Sequence, residues 1–212
     1  MKRTLLTLLL LGLLTLPALA QQNKKEPNTK IGAFHYTHSG AQYTLSDSTS
    51  SSTASDDLIG AGFFYERVFL SRFSAGLKYS SLLDRSLVQT VGGQTVTTVE
   101  QTALASFDFK AFFKDHSSNG FKGFLGVGFG SYTPKSTVTT IAASGNTEGN
   151  TGAAVPISSL SVGFDYLLDF GGVRVEAYSI TGSRRDLTGH PSYTANYRYD
   201  GSAFEVGVFS FF

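Results

Sequence analysis

The chain has 212 residues, a formal net charge of +1, no cysteine and a mean hydropathy close to zero. One all-β domain accommodates that length. The scattered Lys and Arg exclude the basic footprint of a nucleic-acid binder, and the absence of cysteine excludes a disulfide framework.

Residues 1–20 open with Lys2 and Arg3, run through Leu5 to Leu16 and close on Ala18-Leu19-Ala20. A charged start, a short apolar stretch and a small-x-small end describe a secretory signal peptide. The apolar run falls short of the roughly 20 residues a spanning helix needs, and with no cysteine after it a lipoprotein anchor is not expected. Residues 21–29 read as a polar linker carrying Pro27, and the remaining residues, 30–212, as one barrel domain.

From Lys30 onward the dominant period is two. Leu160, Val162, Phe164, Tyr166 and Leu168 alternate with Ser159, Ser161, Gly163 and Asp165, and Leu125, Val127 and Phe129 alternate with Gly126, Gly128 and Gly130. Such rows predict half-apolar strands, placed at 30–38, 57–69, 73–86, 96–113, 121–133, 157–169, 173–181 and 197–212. The run Phe34-His35-Tyr36 leaves the first strand without a clean face, and Phe63-Phe64 leaves the second open by one residue. Connections around 39–56, 87–95, 134–156 and 182–196 are long and rich in Ser, Thr, Gly and Asn, whereas those at 70–72, 114–120 and 170–172 are shorter. Gly92-Gly93 predicts a hairpin tip that carries its strands outward. The loop 39–56, with its run from Ser46 to Asp56, is low-complexity and polar and is expected to be mobile and to bury almost nothing.

Alternation alone fits a soluble barrel with its apolar row inside as well as a membrane barrel with that row outside. Two observations favour the second. Glycine on a soluble exterior weakens strands and packs nothing, whereas the interior of an eight-stranded barrel is only just wide enough for side chains. In addition, Glu66, Lys78, Asp108, Lys110, Lys122, Asp165, Arg174, Glu176 and Glu205 all fall on the small-residue row. A slip of one residue would aim them at lipid, at roughly 2 to 4 kcal/mol for each mid-plane Lys or Arg, against a total margin of about 5 to 15 kcal/mol. They are therefore expected to form a charge network in the lumen.

The signal peptide, the apolar-out alternation, the interior charges, the asymmetry of long loops and short turns and the terminal Phe212 resemble the small eight-stranded outer-membrane barrels of the OmpA/OmpX type. The resemblance implies an all-β, eight-stranded, antiparallel up-and-down transmembrane β-barrel in the cell outer membrane. It also implies that the C-terminal strand, with Phe204, Val206, Val208 and Phe212, is the signal read by the outer-membrane insertion machinery. Ser210 departs from the usual apolar residue two before the end. No peptidoglycan-binding domain is expected after the barrel.

His35 and His38 lie three apart and so point to opposite faces of a strand, which does not suit a shared metal; His116 and His190 lack clustered ligands. His38 and Ser39 diverge as strand neighbours, so a nucleophile and base would have to meet across strands. Asp165 and Asp169 lie about 13 Å apart at ordinary strand rise, too far for a two-carboxylate hydrolase. The glycines of "GFLGVGFG", residues 123–130, precede no helix and predict no phosphate cradle. Arg184 and Arg185 are candidates to meet anionic lipopolysaccharide. No cofactor and no metal are expected. The reading is a monomeric, non-enzymatic surface protein with a filled lumen and no sizeable pore, its partners being outer-membrane lipids, lipopolysaccharide and the insertion machinery. The alternatives are a lipid-modifying barrel enzyme and a soluble periplasmic ligand-binding barrel.

Overall fold

The computed structural model describes residues 29–116, 118–141, 147–151, 153–187 and 193–212, and their regular structure is entirely strand. In chain order the strands are β1 (Thr29–Ser39), β2 (Gln42–Ser46), β3 (Ser51–Ser55), β4 (Leu58–Phe69), β5 (Phe73–Leu82), β6 (Arg85–Val91) and β7 (Gln94–Phe112). There follow β8 (Gly120–Ile141), β9 (Thr147–Thr151), β10 (Val155–Leu168), β11 (Gly171–Thr181), β12 (Ser183–Leu187), β13 (Thr194–Arg198) and β14 (Gly201–Phe211). The signal-peptide and linker readings for residues 1–28 lie outside the described residues.

Eight of these strands form a closed antiparallel barrel in the ring order β7, β5, β4, β1, β14, β11, β10, β8, with β7 pairing β8 to complete the circle. Closure is what leaves no backbone edge unpaired. The eight coincide with the expected strands to within a few residues at most ends, the long outward extension of β8 being the main exception. The alternation is inverted relative to a soluble protein: Phe63 is 71% exposed and Leu160 65%, while Arg174 and Asp165 are 0% exposed. In β4 the register that sequence left open resolves with Phe64 inside and Phe63 outside. In β1 the inward row is Lys30, Gly32, Phe34, Tyr36 and His38.

The short turns cluster at one end. Leu70 and Ser71, in the three-residue connection between β4 and β5, have φ of 49° and 52°, in the left-handed region that most residues avoid. The backbone N–H of His116 donates to the Ser71 carbonyl at 2.9 Å, tying the β7–β8 turn to this one.

At the other end the strands run on. β7 has 19 residues and β8 has 22, about twice the 9 to 11 that cross a bilayer. On β8 the outward apolar row ends at Phe129 and gives way to Ser131 and Thr133. Above that level β12, β13, β2 and β3 form a separate four-stranded sheet, while β6 and β9 flank the extensions of β7 and β8. The Gly92-Gly93 tip of the β6–β7 hairpin has φ of 58° and 75°, which glycine adopts without penalty.

The segment 39–56 departs from its expectation. It is a β-hairpin, and Tyr43 and Leu45 on β2 are fully buried. The reason is local: Tyr43 and Leu45 alternate with Gln42, Thr44 and Ser46, and Asp47 fastens the turn by accepting the N–H groups of Thr49 and Ser50 at 2.7 and 2.6 Å. The two buried side chains join Leu87, Val91, Val96, Ala195 and Tyr197 in one core enclosed by the two upper sheets.

Candidate functional site

The lumen of the lower barrel is filled by charge. The cations Lys30, Lys78, Lys110, Lys122 and Arg174 and the acids Glu66, Asp108, Asp165, Glu176 and Glu205 are all buried there. Arg174 on β11 is the hub. Its guanidinium donates to both oxygens of Asp165 at 2.7 and 2.9 Å and to both of Glu66 at 2.7 and 2.9 Å. Two planar forks on one cation are the strong, directional form of an ion pair. Lys30 joins the same acids, at 2.6 Å from Asp165 and 3.0 Å from Glu66.

Lys110 carries the network upward by bridging Glu66 at 3.4 Å and Glu176 at 2.8 Å. Lys78 then gathers Glu176 at 3.0 Å, Glu205 at 2.8 Å and Asp108 at 3.1 Å, and also donates to the Tyr178 hydroxyl. Lys122 faces Asp165 across the β8–β10 ladder but donates to the Ser118 hydroxyl at 2.7 Å. Rings pack the gaps: the Arg174 guanidinium lies 4.8 Å from the centre of Phe64 and Lys30 lies 4.7 Å from that of Phe112. Glycine is required where they crowd, since a Cβ on Gly163 would stand 2.7 Å from Phe124.

Lys30, absent from the expected set, starts the strand whose faces the sequence left unresolved. His116, expected as an isolated turn residue, folds under the lumen with Nε2 at 2.7 Å from the Lys30 ammonium and 3.7 Å from Asp165. Burial pushes this imidazole below its ordinary pKa, and accepting from Lys30 at Nε2 places its own proton on Nδ1.

The upper interior has a second polar set. Tyr132 bonds Tyr36 at 2.5 Å and His38 Nδ1 at 2.9 Å, and its ring stacks on Tyr199 at 4.3 Å. Tyr199 donates to Glu100, which Arg85 holds at 2.8 Å. Arg85 also donates to the Asp56 carbonyl at 3.0 Å, and Gln89 donates to the Ser52 and Tyr43 carbonyls at 2.7 and 3.2 Å. Arg85 and Glu100 lie directly opposite each other in the β6–β7 register, a pairing that counting outward from Gly92-Gly93 would have revealed.

His35 points outward at 3.4 Å from Thr37, whereas His38 points inward, so the two are on opposite faces. Ser39 is exposed beside the buried His38, and the two side chains are not brought together. Asp165 is buried in the network while Asp169 is exposed in the β10–β11 turn, hydrogen-bonded to Asn119. Residues 123–130 lie within β8, which continues to Ile141 as strand. Arg184 is exposed and donates to the Ala154 carbonyl at 3.2 Å; the Arg185 side chain and His190 lie outside the described residues. Phe204, Val206 and Phe212 are exposed on the barrel exterior, with Val208 half-buried in the same row. Among the described residues no cluster of His, Cys, Asp and Glu has the makings of a metal site.

No protein-family model matches the chain, and no curated protein matches it. Among solved structures it is similar to the outer membrane protein OprG from Pseudomonas aeruginosa, at 12% identity over 90% of this chain and 98% of that one, with a TM-score of 0.58. It also matches Ail of Yersinia pestis, at 10% identity over 88% and 99% of the two chains, with a TM-score of 0.43. The N-terminal barrel domain of OprF from Pseudomonas aeruginosa matches at 11% identity over 87% and 99%, with a TM-score of 0.43. The OprG match is a likeness of fold, that of a small closed β-barrel.

Proposed function

We propose that this chain is an outer-membrane barrel of the Gram-negative envelope, without catalytic activity, that seals its own lumen and presents a folded polar surface on the long-strand side. The observation that supports it most is the inversion of the barrel, with Phe63, Phe129 and Leu160 outside and Arg174, Asp165 and Lys30 inside. A row of apolar residues from Phe121 to Phe129 on β8 has the length of one membrane crossing, and short turns mark the periplasmic side. The test is fractionation with a gel comparing folded and boiled protein. Retention in the outer membrane with heat-modifiable migration supports the reading, and release with the periplasm overturns it. The packed network further predicts no steady conductance in a planar bilayer.

Two partners belong to this reading. The outward row Phe204, Val206, Val208 and Phe212 would serve as the assembly signal, and alanine at Phe212 with Val208 is expected to leave unfolded protein in the periplasm. Arg184, on the long-strand side, would meet lipopolysaccharide together with Arg185; charge reversal at both positions is expected to weaken that association.

A further inference from the structure

Three cations stand outside the barrel at its short-turn end. Arg67 lies on the outward row of β4, between Tyr65 and Phe69, where every other large side chain is apolar or aromatic. Its ladder neighbour on β5 is Ala75, and the next residue across is Phe109. Arg72 is exposed in the turn after β4, and Lys114 is exposed in the turn after β7. The two turns are tied by the Ser71–His116 backbone bond, and the Phe112 N–H donates to the Arg72 carbonyl at 2.7 Å, so the three charges share one arc of the rim. None has an ion-pair partner among the described residues. Asp115 beside Lys114 is half-buried and has contacts of its own, and the exposed Asp169, in the turn between β10 and β11, accepts a hydrogen bond from Asn119 at the far end of the β7–β8 turn.

The apolar surroundings are equally one-sided. Phe69, Phe73 and Phe109 form an outward cluster with ring centres 5.8 to 6.2 Å apart. Immediately below it, Leu70 is 80% exposed at a positive φ, a conformation in which a bulky apolar side chain is disfavoured. An arginine three residues before such a turn reaches the interface by extending its head along its aliphatic stem. Greasy residues that enter acyl chains, with cations at the headgroup level below and beside them that have no ion-pair partner among the described residues, are complementary to an amphiphile carrying negative charge.

We infer that the arc of Arg67, Arg72 and Lys114 binds the anionic headgroup of a glycerophospholipid in the periplasmic leaflet, its acyl chains lying against Phe69, Phe73 and Phe109. This rests on the membrane reading proposed above and adds a lipid preference on one side of the barrel. Continuity of the arc with the apolar belt is what selects lipid over a periplasmic protein as the occupant.

The full chain, folded into vesicles of equimolar phosphatidylethanolamine and phosphatidylglycerol, is extracted in mild detergent, and the lipid it retains is quantified by mass spectrometry. Phosphatidylglycerol is expected to be enriched at least about fivefold over phosphatidylethanolamine, the order that one interfacial cation supplies. The triple variant Arg67→Gln, Arg72→Gln, Lys114→Gln is expected to lose the enrichment while keeping heat-modifiable migration; Arg198→Gln at the opposite end is expected to keep both. Equal retention of the two lipids by the unaltered protein overturns the inference. So does enrichment that survives in the triple variant, or a protein partner captured through these three residues in place of lipid. Failure of the chain to insert at all sinks the membrane reading along with it, whereas insertion without lipid preference sinks only this one.

Discussion

Arg174 stands directly opposite Asp165 in the β10–β11 ladder and holds both of its carboxylate oxygens, while the rest of its guanidinium reaches Glu66 on β4. One side chain thus fastens strands that are not neighbours in the ring. Arg174→Met removes the bidentate partner of two buried acids that keep Lys30, so the loss is expected toward the lower end of the about 3 to 5 kcal/mol that breaking a buried pair costs. The expected result is a lower urea midpoint for unfolding of the vesicle-inserted barrel, read by gel migration. Arg174→Lys is expected to recover only part of the loss, because an ammonium lacks the planar fork.

The pair Arg85 and Glu100 plays the corresponding role at the long-strand end, where it joins the β6–β7 hairpin to the carbonyl of Asp56, just past β3. Arg85→Met is expected to loosen β2 and β3 without unfolding the barrel beneath. Amide exchange should rise across residues 42–55 by roughly a hundredfold or more, as loss of about 3 kcal/mol of local stability implies, with heat-modifiable migration unchanged.

The turn at Leu70 and Ser71 carries local backbone strain. Both residues have positive φ, which costs a residue with a Cβ about 1 kcal/mol or more. Replacing them by Asn-Gly, residues that enter the left-handed region at little cost, is expected to slow unfolding of the inserted barrel. No gain in kinetic or equilibrium stability would contradict the assigned turn geometry.

Acid should act on the β2–β3 turn. The N–H groups of Thr49 and Ser50 donate to Asp47 and hold its carboxyl below the ordinary carboxylate range. A depressed acid stabilises the turn above its unfolded-state pKa, near 3.9, and the contribution is lost as pH falls through the lower folded-state value. Protection of the Thr49 and Ser50 amides is therefore expected to be level from pH 7 to about 5 and to fall below about 4. Asp47→Asn should flatten that dependence.

Much of this architecture is legible in the chain, because the period of two is strong wherever one face meets lipid and the other a crowded lumen. Leu125, Val127 and Phe129 against three glycines leave little room for another register. What escapes is whatever depends on ring closure. Lys78 meets Glu176 although 98 residues separate them, and only the order of strands around the barrel brings them together. Lys30 escapes for a different reason, since Phe34, His35 and Tyr36 mask the alternation of β1. Tyr43 and Leu45 are hidden by the hydroxyl-rich run that follows them, whose composition predicts mobility for the whole segment. Arg85 and Glu100 were within reach through the arithmetic of the Gly92-Gly93 hairpin.

β3 lies beside β6 in space but shares no ladder with it among the described residues; Gln89 spans the seam with its side-chain amide. On that flank the segment between β1 and β4 owes its place to side chains, so its outward residues answer to no backbone neighbour there. Exchange of Ser51, Thr53 or Ser55 is therefore expected to leave closure and insertion of the barrel unchanged. Variation among strains should accordingly gather on this flap and spare the ionic interior.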